Sequence, residues 1–291
     1  MQASLALKMG VLLAVLSGAV SVAQAAPEEC DRECLRGVIT QYLDALVAHN
    51  PKALPVGEKV KFTEDSVEMQ LGEGLWKSAS RLRAYRQDIL DVHRGVAASQ
   101  AVLEEKDAPV LLMLRLRVVD KKITEIETMV TRSQKEGGLF NPDGLQTPRK
   151  AMSIVPEGGE LMKLDDAMQT ASTYPAGLKL GSFVLAGTPF AGDAYRLENG
   201  VVTAGQGCSR AGCENMLTQT IMKHPNIHSR IKAVDEELGI VLLRMNFGDT
   251  GSYGPGNALI VWEAFKVYGG QIHAVEAFMK IMPATMGSGW D

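Results

Sequence analysis

The chain carries one series of sequence features twice, and this duplication limits its possible folds more than any other feature. The matched positions, in order along the chain, are Tyr42 and Tyr174, Glu64 and Glu198, and Ile123 and Ile272. Their separations are 132, 134 and 149 residues, so the order is kept and the spacing changes only through loops. Solenoid units repeat every 20–50 residues or so, which is much shorter. We therefore predict one domain fold that occurs twice.

A length of 291 residues suits two domains of ordinary size. The boundary is expected in residues 133–162, which are rich in glycine and proline and have little periodicity. The apolar residues in this stretch indicate that it lies over the folded domains. We predict a first domain at 26–132, a linker at 133–162 and a second domain at 163–291.

Residues 1–25 have the pattern of a secretory signal peptide, with Lys8 before an apolar run and a small-x-small cleavage site at Ala23-Gln24-Ala25. A retained N-terminal anchor is the alternative. No later stretch reaches the roughly 18 apolar residues of a membrane helix. We expect a periplasmic or secreted protein without an integral membrane segment after cleavage.

All four cysteines follow the cleavage site, and an even number in an exported chain permits disulfides. The spacing favours Cys30–Cys34 and Cys208–Cys213, although four cysteines allow three connectivities. We expect no metal and no cofactor, because there is no Cys-x-x-Cys motif. His224 and His228 are four residues apart, but Pro225 argues against a helix that presents both.

Composition argues against one class of partner. Hydrophobic residues make up 46% and charged residues 22% of the chain, as in globular proteins. There is no basic stripe, so nucleic acid is not expected as a partner. The net charge of −4 implies solubility and leaves a homo-oligomer open.

Apolar spacing and cap residues predict the same plan in both halves. The expected elements of the first half are a helix at 30–50 with Asp31 as N-cap, a strand at 60–64, a helix from Ser78 or Ser80 to Leu90, and strands at 96–104, 110–119 and 123–130. Those of the second half are a helix from Asp165 or Asp166 to Leu178, a strand at 194–198, a helix at 214–223, and strands at 231–235, 240–247, 259–268 and 272–279. Pro175 is expected to shorten or kink its helix. Helices followed by a long antiparallel sheet indicate α+β domains.

Four segments of the first half resemble, in order, the signatures of the nuclear transport factor 2-like superfamily, which includes ketosteroid isomerases and SnoaL-type polyketide cyclases. They are the helix Val38–Asn50, the strand end Thr63-Glu64-Asp65, the capped segment Ser78–Tyr85 and the hairpin Asp120–Ile126. The whole chain, including the closing residues 286–290, looks like exported tandem proteins of this superfamily. The resemblance implies two tandem cone domains, each a curved antiparallel sheet with helices packed on it.

In the isomerases of this superfamily, a carboxylate base moves a proton while a tyrosine and a protonated aspartate stabilise an enolate oxygen. By this resemblance, Tyr42 and Asp65 match the tyrosine and the base, and the acid position falls near Met113 or Leu114. In the second half, Tyr174, Asn199 and Glu263 match these three positions. Neither half has the full set, so steroid isomerase activity is not expected.

The candidate site residues follow from the resemblance and from the repeat. The catalytic candidates are Tyr42, Asp65 and Glu127, and the substrate-binding candidates are Trp76, Tyr174, Arg196, Glu198, Glu263 and Glu276. Glu127 and Glu276 are matched, and a carboxylate on the inner face of a cone would have a raised pKa and act as an acid or base. The competing interpretation for each is a solvent-facing position or an ion pair with an arginine such as Arg115 or Arg117.

The turn, tyrosine and arginine candidates each have a structural interpretation as well as a functional one. Glu64-Asp65-Ser66 and Glu198-Asn199-Gly200 are also good turn sequences, and each tyrosine is equally suited to a core position. Arg196 replaces Phe62 in the repeat, which indicates an anion or carboxylate site or an edge position. The glycine-rich stretch at 248–256 is interpreted as a hairpin loop or a pocket lid.

These features predict a cofactor-free lyase, isomerase or hydratase that acts on a small apolar or aromatic molecule. The alternative is a non-catalytic module that binds a hydrophobic ligand or a partner protein. A third interpretation, a subunit that only forms interfaces, predicts an exposed apolar sheet face.

Overall fold

The computed structural model describes residues 29–290, so the expected signal peptide at 1–25 lies outside the described residues. The first and second halves of the chain each form an open six-stranded sheet with helices packed on it. The two sheets have the same strand order, which confirms the predicted α+β architecture of two similar domains. Between residues 29 and 290, no helix has the length and apolar character needed to cross a membrane.

The first domain begins with helix α1 (Arg32–Val47), which the side chain of Asp31 caps by accepting a hydrogen bond from the amide of Cys34. Its strands are β1 (Val56–Glu64), β2 (Val67–Glu68), β3 (Ala79–Asp91), β4 (Val96–Glu105), β5 (Ala108–Val119) and β6 (Lys122–Thr131). Short 3-10 turns cover Pro51–Ala53 and Gly74–Lys77. The apolar face of α1 packs on one face of the sheet and forms a core with it.

The first and last strands of this domain lie side by side. The strand order is β2-β1-β6-β5-β4-β3, and β1 pairs with β6 in parallel. All other neighbouring strands pair antiparallel. The first and last long strands of the domain are therefore hydrogen-bonded neighbours within the sheet.

The helix expected from Ser78 or Ser80 to Leu90 is wrong, because this segment is the 13-residue strand β3. Tyr85, Gln87 and Ile89 are buried with the two-residue period of a strand. Pairing with β4 along most of its length outweighs the local helical pattern. The capped segment in the superfamily resemblance is therefore a strand here.

The stretch at 133–162 contains helix α2 (Gln134–Gly137), a 3-10 turn at Pro142–Gly144 and helix α3 (Lys150–Ser153). Leu145 and Met152 are buried against both sheets, as its apolar residues predicted. The amide of Asn141 donates to the carbonyl of Asn199 at 2.8 Å. The linker is thus fastened to the second domain.

The second domain repeats the plan of the first. Its elements are α4 (Leu164–Leu180), α5 (Phe183–Ala186), β7 (Phe190–Glu198), β8 (Val201–Ala204), β9 (His228–Asp235), β10 (Ile240–Asn246), β11 (Asn257–Tyr268) and β12 (Gln271–Pro283). The strand order is β8-β7-β12-β11-β10-β9, with β7 and β12 parallel. Helix α4 continues past Pro175 to Leu180, so the proline does not shorten it there.

The helix expected at 214–223 is wrong, since residues 205–227 form turns without a helix. The side chain of Asn215 accepts hydrogen bonds from the amides of Leu217 and Thr218, a local turn that competes with helix formation. A disulfide between Cys208 and Cys213 closes part of this segment, and the other disulfide joins Cys30 to Cys34. Both predicted disulfide pairs are confirmed.

The second face of each sheet packs against the other domain. The large apolar residues that mix there include Tyr85, Met113 and Met129 from the first domain and Trp262 and Phe278 from the second. Backbone groups also cross the boundary, because the amide of Leu90 donates to Asp235 at 3.0 Å and the amide of Val234 donates to Asp91 at 2.8 Å. A subunit that only forms interfaces was predicted to expose an apolar sheet face. Here the apolar face of each sheet is covered by the other domain.

Candidate functional site

The inner faces of the two sheets, under α1 and α4, differ in chemistry at matched positions. In the first domain, Phe62 and Leu114 belong to the apolar core. The matched residues of the second domain are Arg196 and Glu263, both buried. The register supports this match, because Phe62 and Arg196 lie beside equivalent residues of the parallel last strand. The second domain therefore has buried ionisable side chains where the first has apolar ones.

The interior of the first domain is filled by Tyr42 and Trp76. The Trp76 Nε1–H donates to the Tyr42 hydroxyl at 3.2 Å, and the two rings meet edge to face with their centroids 5.2 Å apart. Trp76 reaches this position from the turn at 74–77, where the amide of Leu75 donates to a Glu64 carboxylate oxygen at 2.8 Å. Burial raises the pKa of Tyr42. These contacts give Tyr42 and Trp76 the geometry of core residues.

The interior of the second domain contains a cavity of about 300 Å³. Helix α4, the segment 205–227, the loop between β10 and β11 and the start of the linker contribute its walls. Its main polar lining residues are Tyr174, Arg196, Glu198, Arg210, His224 and Tyr253. Three of the predicted substrate-binding residues therefore lie together at one cavity.

Arg196 is held in place by four side chains. Its Nη1 donates to the Tyr174 hydroxyl at 3.1 Å, its Nη2 to Gln219 at 3.2 Å and its Nε to Thr203 at 2.8 Å. A Glu198 carboxylate oxygen lies 3.3 Å from the same Nε. Burial opposes the charge, but Glu198 and Tyr174 raise the pKa of Arg196 above its ordinary value. The guanidinium is a fixed cation in the cavity wall.

Glu263 lies behind this wall and hydrogen bonds to the Tyr174 hydroxyl. Burial, and then the negative charge of Glu198, raise the pKa of Glu263 to about 8, although Arg196 and Tyr174 act in the opposite direction. Burial also raises the pKa of Tyr174 well above its ordinary value. Both groups are therefore mainly protonated at neutral pH.

Sequence reasoning missed three residues of this cavity, namely Arg210, His224 and Tyr253. The sequence raised His224 only as a metal ligand, but its ring packs on Phe247 at 4.6 Å and stacks on Tyr253 at 6.2 Å. Tyr253 lies in the glycine-rich loop at 248–256, so this hairpin loop also covers the cavity. Tyr253 is the only aromatic residue in this glycine-rich loop, and that isolated tyrosine is the sequence signal that could have identified it. Burial lowers the pKa of His224, so the ring is neutral near pH 7.

Asp65 and Asn199, at the base position of the resemblance, fasten equivalent turns. Both have positive φ, 52° and 46°. Asp65 Oδ1 accepts from the amide of Val130 at 2.9 Å, and Asn199 Oδ1 accepts from the amide of Met279 at 2.9 Å. Asp65 also pairs with Lys280 at 2.7 Å. Neither residue lines the cavity, and their shared geometry supports the turn interpretation.

The interpretation that Glu127 and Glu276 face the inside of a cone is wrong, and the competing interpretation, an ion pair with Arg115, is confirmed for Glu127. Side chains alternate along a strand, and Ile126 and Val130 point to the core under α1, so Glu127 points to the other domain. It lies 2.9 Å from Arg115 Nε and 3.3 Å from Lys232 Nζ.

Glu276 accepts hydrogen bonds between the two sheets from the hydroxyls of Tyr85 at 3.1 Å and Tyr195 at 2.6 Å. Burial raises the pKa of Glu276. The two matched glutamates therefore hold the domains together. Across residues 29–290, no three His, Cys, Asp or Glu side chains form a group that could hold a metal ion.

The fold and the site define a class of protein: two similar α+β domains, of which the first has a filled interior and the second a polar-lined cavity. A family model described as a domain of unknown function (DUF8021) matches residues 28–130 and 163–279. The chain belongs to this family, and the two matched regions contain the two sheets. No curated protein matches the chain significantly.

Proposed function

We propose that this is an exported protein of the nuclear transport factor 2-like superfamily, and that its second domain acts on a small, largely apolar molecule by acid–base chemistry without a cofactor. Two disulfides within the described chain support export. The order of helix, strand pair and four-stranded meander in each domain supports the superfamily.

One observation carries the functional proposal. The pair Tyr174 and Glu263 lies beside Arg196 and Glu198 at a cavity in one copy of the fold. The other copy keeps a tyrosine and a glutamate, Tyr42 and Glu64, but has apolar Phe62 and Leu114 where the second domain has Arg196 and Glu263. Buried titratable groups with shifted pKa values around a cavity are typical of catalytic sites.

The chemistry follows from the protonation states. Arg196 donates to the Tyr174 hydroxyl, and the phenolic O–H of Tyr174 donates to Glu263. Tyr174 lines the cavity, and in the proposed reaction its O–H turns from Glu263 to a substrate oxygen and stabilises the negative charge that develops there. Glu198, in the cavity wall, acts as general base and removes a proton from the substrate carbon next to the carbon that bears this oxygen. This division of roles suits an isomerase, lyase or hydratase.

The volume limits the size of the substrate. Small-molecule pockets usually measure about 300–1,000 Å³, and a cavity of about 150 Å³ holds benzene. The cavity of about 300 Å³ is at the lower end of this range. The substrate is therefore expected to contain one or two small rings or a short chain.

Turnover by the purified protein tests this proposal. Wild-type protein is incubated with a panel of small carbonyl compounds, and products are followed by NMR. We expect Tyr174→Phe and Glu198→Gln to lower kcat by about 10²–10⁴, whereas the matched variants Tyr42→Phe and Glu64→Gln of the first domain keep it. The proposal fails if no compound is converted, or if Tyr42→Phe lowers kcat as much as Tyr174→Phe.

Non-catalytic binding of a hydrophobic ligand is the second candidate. It is favoured by Asn199, which stands at the base position and is fully engaged in a turn. This candidate predicts a thermal shift with ligands that are never converted.

A further inference from the structure

Strongly exposed apolar side chains are concentrated at one end of the second domain. Within residues 29–290, four of the five most exposed large apolar side chains belong to this domain. They are Leu185 at 76%, Val184 at 57%, Met222 at 55% and Leu180 at 50%. The fifth is Val155 of the linker, at 54%. Single exposed apolar residues are ordinary, whereas a group of them marks an interaction site.

Two of these four residues lie on helix α5, a single turn. The turn stands between Gly181 and Gly187, which both have left-handed backbone conformation. Its first residue, Phe183, is buried in the core of the second domain and anchors the turn. Val184 and Leu185 follow directly and are exposed. The turn therefore presents two aliphatic side chains to solvent on a fixed base.

The end of α4 brings the other two residues to the same place. Leu180 is the last residue of α4, and a Cβ on the next residue, Gly181, would lie 3.1 Å from the Cβ of Lys223. Met222 precedes Lys223, and it also lines the cavity. All four apolar residues lie within a few positions of this contact. We call them the tip patch (Leu180, Val184, Leu185 and Met222).

Positive charge flanks the tip patch. Residues 167–192 contain a single charged residue, Lys179, and residues 215–227 contain only Lys223 besides the neutral His224. Both lysines are exposed. Each is the direct neighbour in sequence of a patch residue, so the patch carries a cation on two sides.

Two carboxylates of the adjoining segments do not reverse this charge. Glu214 is close in sequence to Arg210, and these two charges cancel. Asp249 lies in the glycine-rich loop whose Ser252 donates to Met222 Sδ at 3.0 Å. Its two oxygens accept from backbone amides of the same loop. The partner that covers the patch is therefore expected to be apolar and negatively charged.

The surface of a membrane with anionic lipids has both properties. Aliphatic side chains enter the boundary between headgroups and acyl chains, and basic side chains near the surface add affinity for anionic headgroups. A second copy of this chain fits less well. A twofold contact through the patch would place the lysines of the two copies against each other, and such like-charge contacts are unfavourable.

We propose that the tip patch docks the second domain on a membrane surface that contains anionic phospholipid. Val184, Leu185 and Met222 enter the headgroup boundary, and Lys179 and Lys223 lie at the lipid phosphates. Since Met222 also lines the cavity, this contact places the cavity beside the lipid surface. The docking surface contains none of the residues of the proposed acid–base chemistry, so either can fail without the other.

Co-sedimentation of the purified protein with vesicles tests this docking. We expect at least about tenfold tighter binding to phosphatidylcholine vesicles with about 30% phosphatidylglycerol than to vesicles of phosphatidylcholine alone. Lys179→Ala and Lys223→Ala should each weaken binding to the mixed vesicles about fivefold. Lys163→Ala removes an exposed cation just before the other end of α4 and should leave binding unchanged. High salt should remove the preference for the mixed vesicles.

Leu185→Ser tests the apolar contact and should weaken binding to the mixed vesicles about tenfold. Val155→Ser is the matched control, because Val155 has comparable exposure and lies outside the patch. No sedimentation with either kind of vesicle, equal binding to both, or normal binding of Leu185→Ser overturns the proposal. A dimer in vesicle-free solution that Leu185→Ser dissociates also overturns it, since a second copy would then cover the patch.

Turnover separates this docking from the proposed function. Leu185→Ser should lose vesicle binding and keep the turnover of a water-soluble substrate. Vesicle binding without any turnover would contradict the proposed function alone, and turnover without vesicle binding would contradict the docking alone.

Discussion

Glu263 is the residue at which the two domains differ most in chemistry, because a buried carboxyl group replaces Leu114. The repeat in the sequence identified this difference, and it also identified Arg196 against Phe62. Both positions point inward in the structure. A comparison of matched positions within one chain could therefore predict where the cavity chemistry lies. It could not predict His224 or Tyr253, since these belong to loops without a regular period.

The raised pKa of Glu263 makes stability depend on pH. The folded protein keeps the Glu263 proton up to about pH 8, whereas the unfolded chain loses it near 4.5. Between these values the folded state binds more protons, so stability falls as pH rises from about 4.5 to about 8. The contribution of one proton is at most about 1.4 kcal/mol per pH unit.

Glu263→Gln keeps the site neutral at every pH, and chemical denaturation between pH 5 and 9 should give a flatter stability curve than wild type. Glu33→Gln, at a side chain that is 77% exposed, is the control and should leave the slope unchanged. An unchanged slope in Glu263→Gln would contradict the assignment of a buried neutral acid.

Asn199 and Asp65 give a second prediction at this scale. Asn199→Ala removes the acceptor of the Met279 amide and two donors in a buried turn, and we expect it to lower the free energy of unfolding by about 2–4 kcal/mol. Asp65→Asn keeps the acceptor for the Val130 amide, so it should cost less and leave turnover intact. Loss of turnover in Asp65→Asn would instead restore Asp65 as the base.

At the scale of elements, the sequence predicted most strands but not all helices. Strands were predicted near 96–104, 110–119, 231–235 and 272–279, and each is present. The segment from Ser78 to Leu90 carries helix-forming residues, and only its neighbour β4 makes it a strand. The local sequence of this segment does not reveal the pairing, because many of the β4 residues that pair with β3 are distant in the chain. Strand formation here depends on those tertiary contacts rather than on local propensity.

The hairpin between β7 and β8 supports the linker, and this leads to a prediction for Gly200. Its φ is +83°, and a Cβ there would collide with the carbonyl oxygen of Asn141. Gly200→Ala should therefore strain the turn and displace the linker, at a cost of about 1–3 kcal/mol.

Gly158→Ala is the matched control in the same linker, because nothing lies within 4 Å of its added methyl group. Thermal melting and limited proteolysis of the linker distinguish the two variants. Equal behaviour of both would show that the contact between Asn141 and Gly200 is dispensable.

At the scale of the whole molecule, neither domain is complete alone. A chain that ends at residue 132 exposes Tyr85, Met113 and Met129, and it leaves Glu127 without Lys232. We expect this half to aggregate when expressed alone and to become soluble when co-expressed with residues 133–290. Size-exclusion chromatography measures both cases. A folded, monomeric first half on its own would contradict this view of the interface.

The parallel pairing of the first and last strands in each sheet has a consequence for how the protein is made. Sheet formation in the first domain needs β6, which emerges well after β1, and the second sheet waits in the same way for β12, which emerges well after β7. Pairing between distant segments is slow, and unpaired strand edges promote aggregation meanwhile. Until the second sheet has formed, the apolar face of the first sheet that it will cover stays exposed to solvent. The nascent chain is therefore expected to depend on a chaperone that shields apolar strands until β12 has emerged and paired with β7.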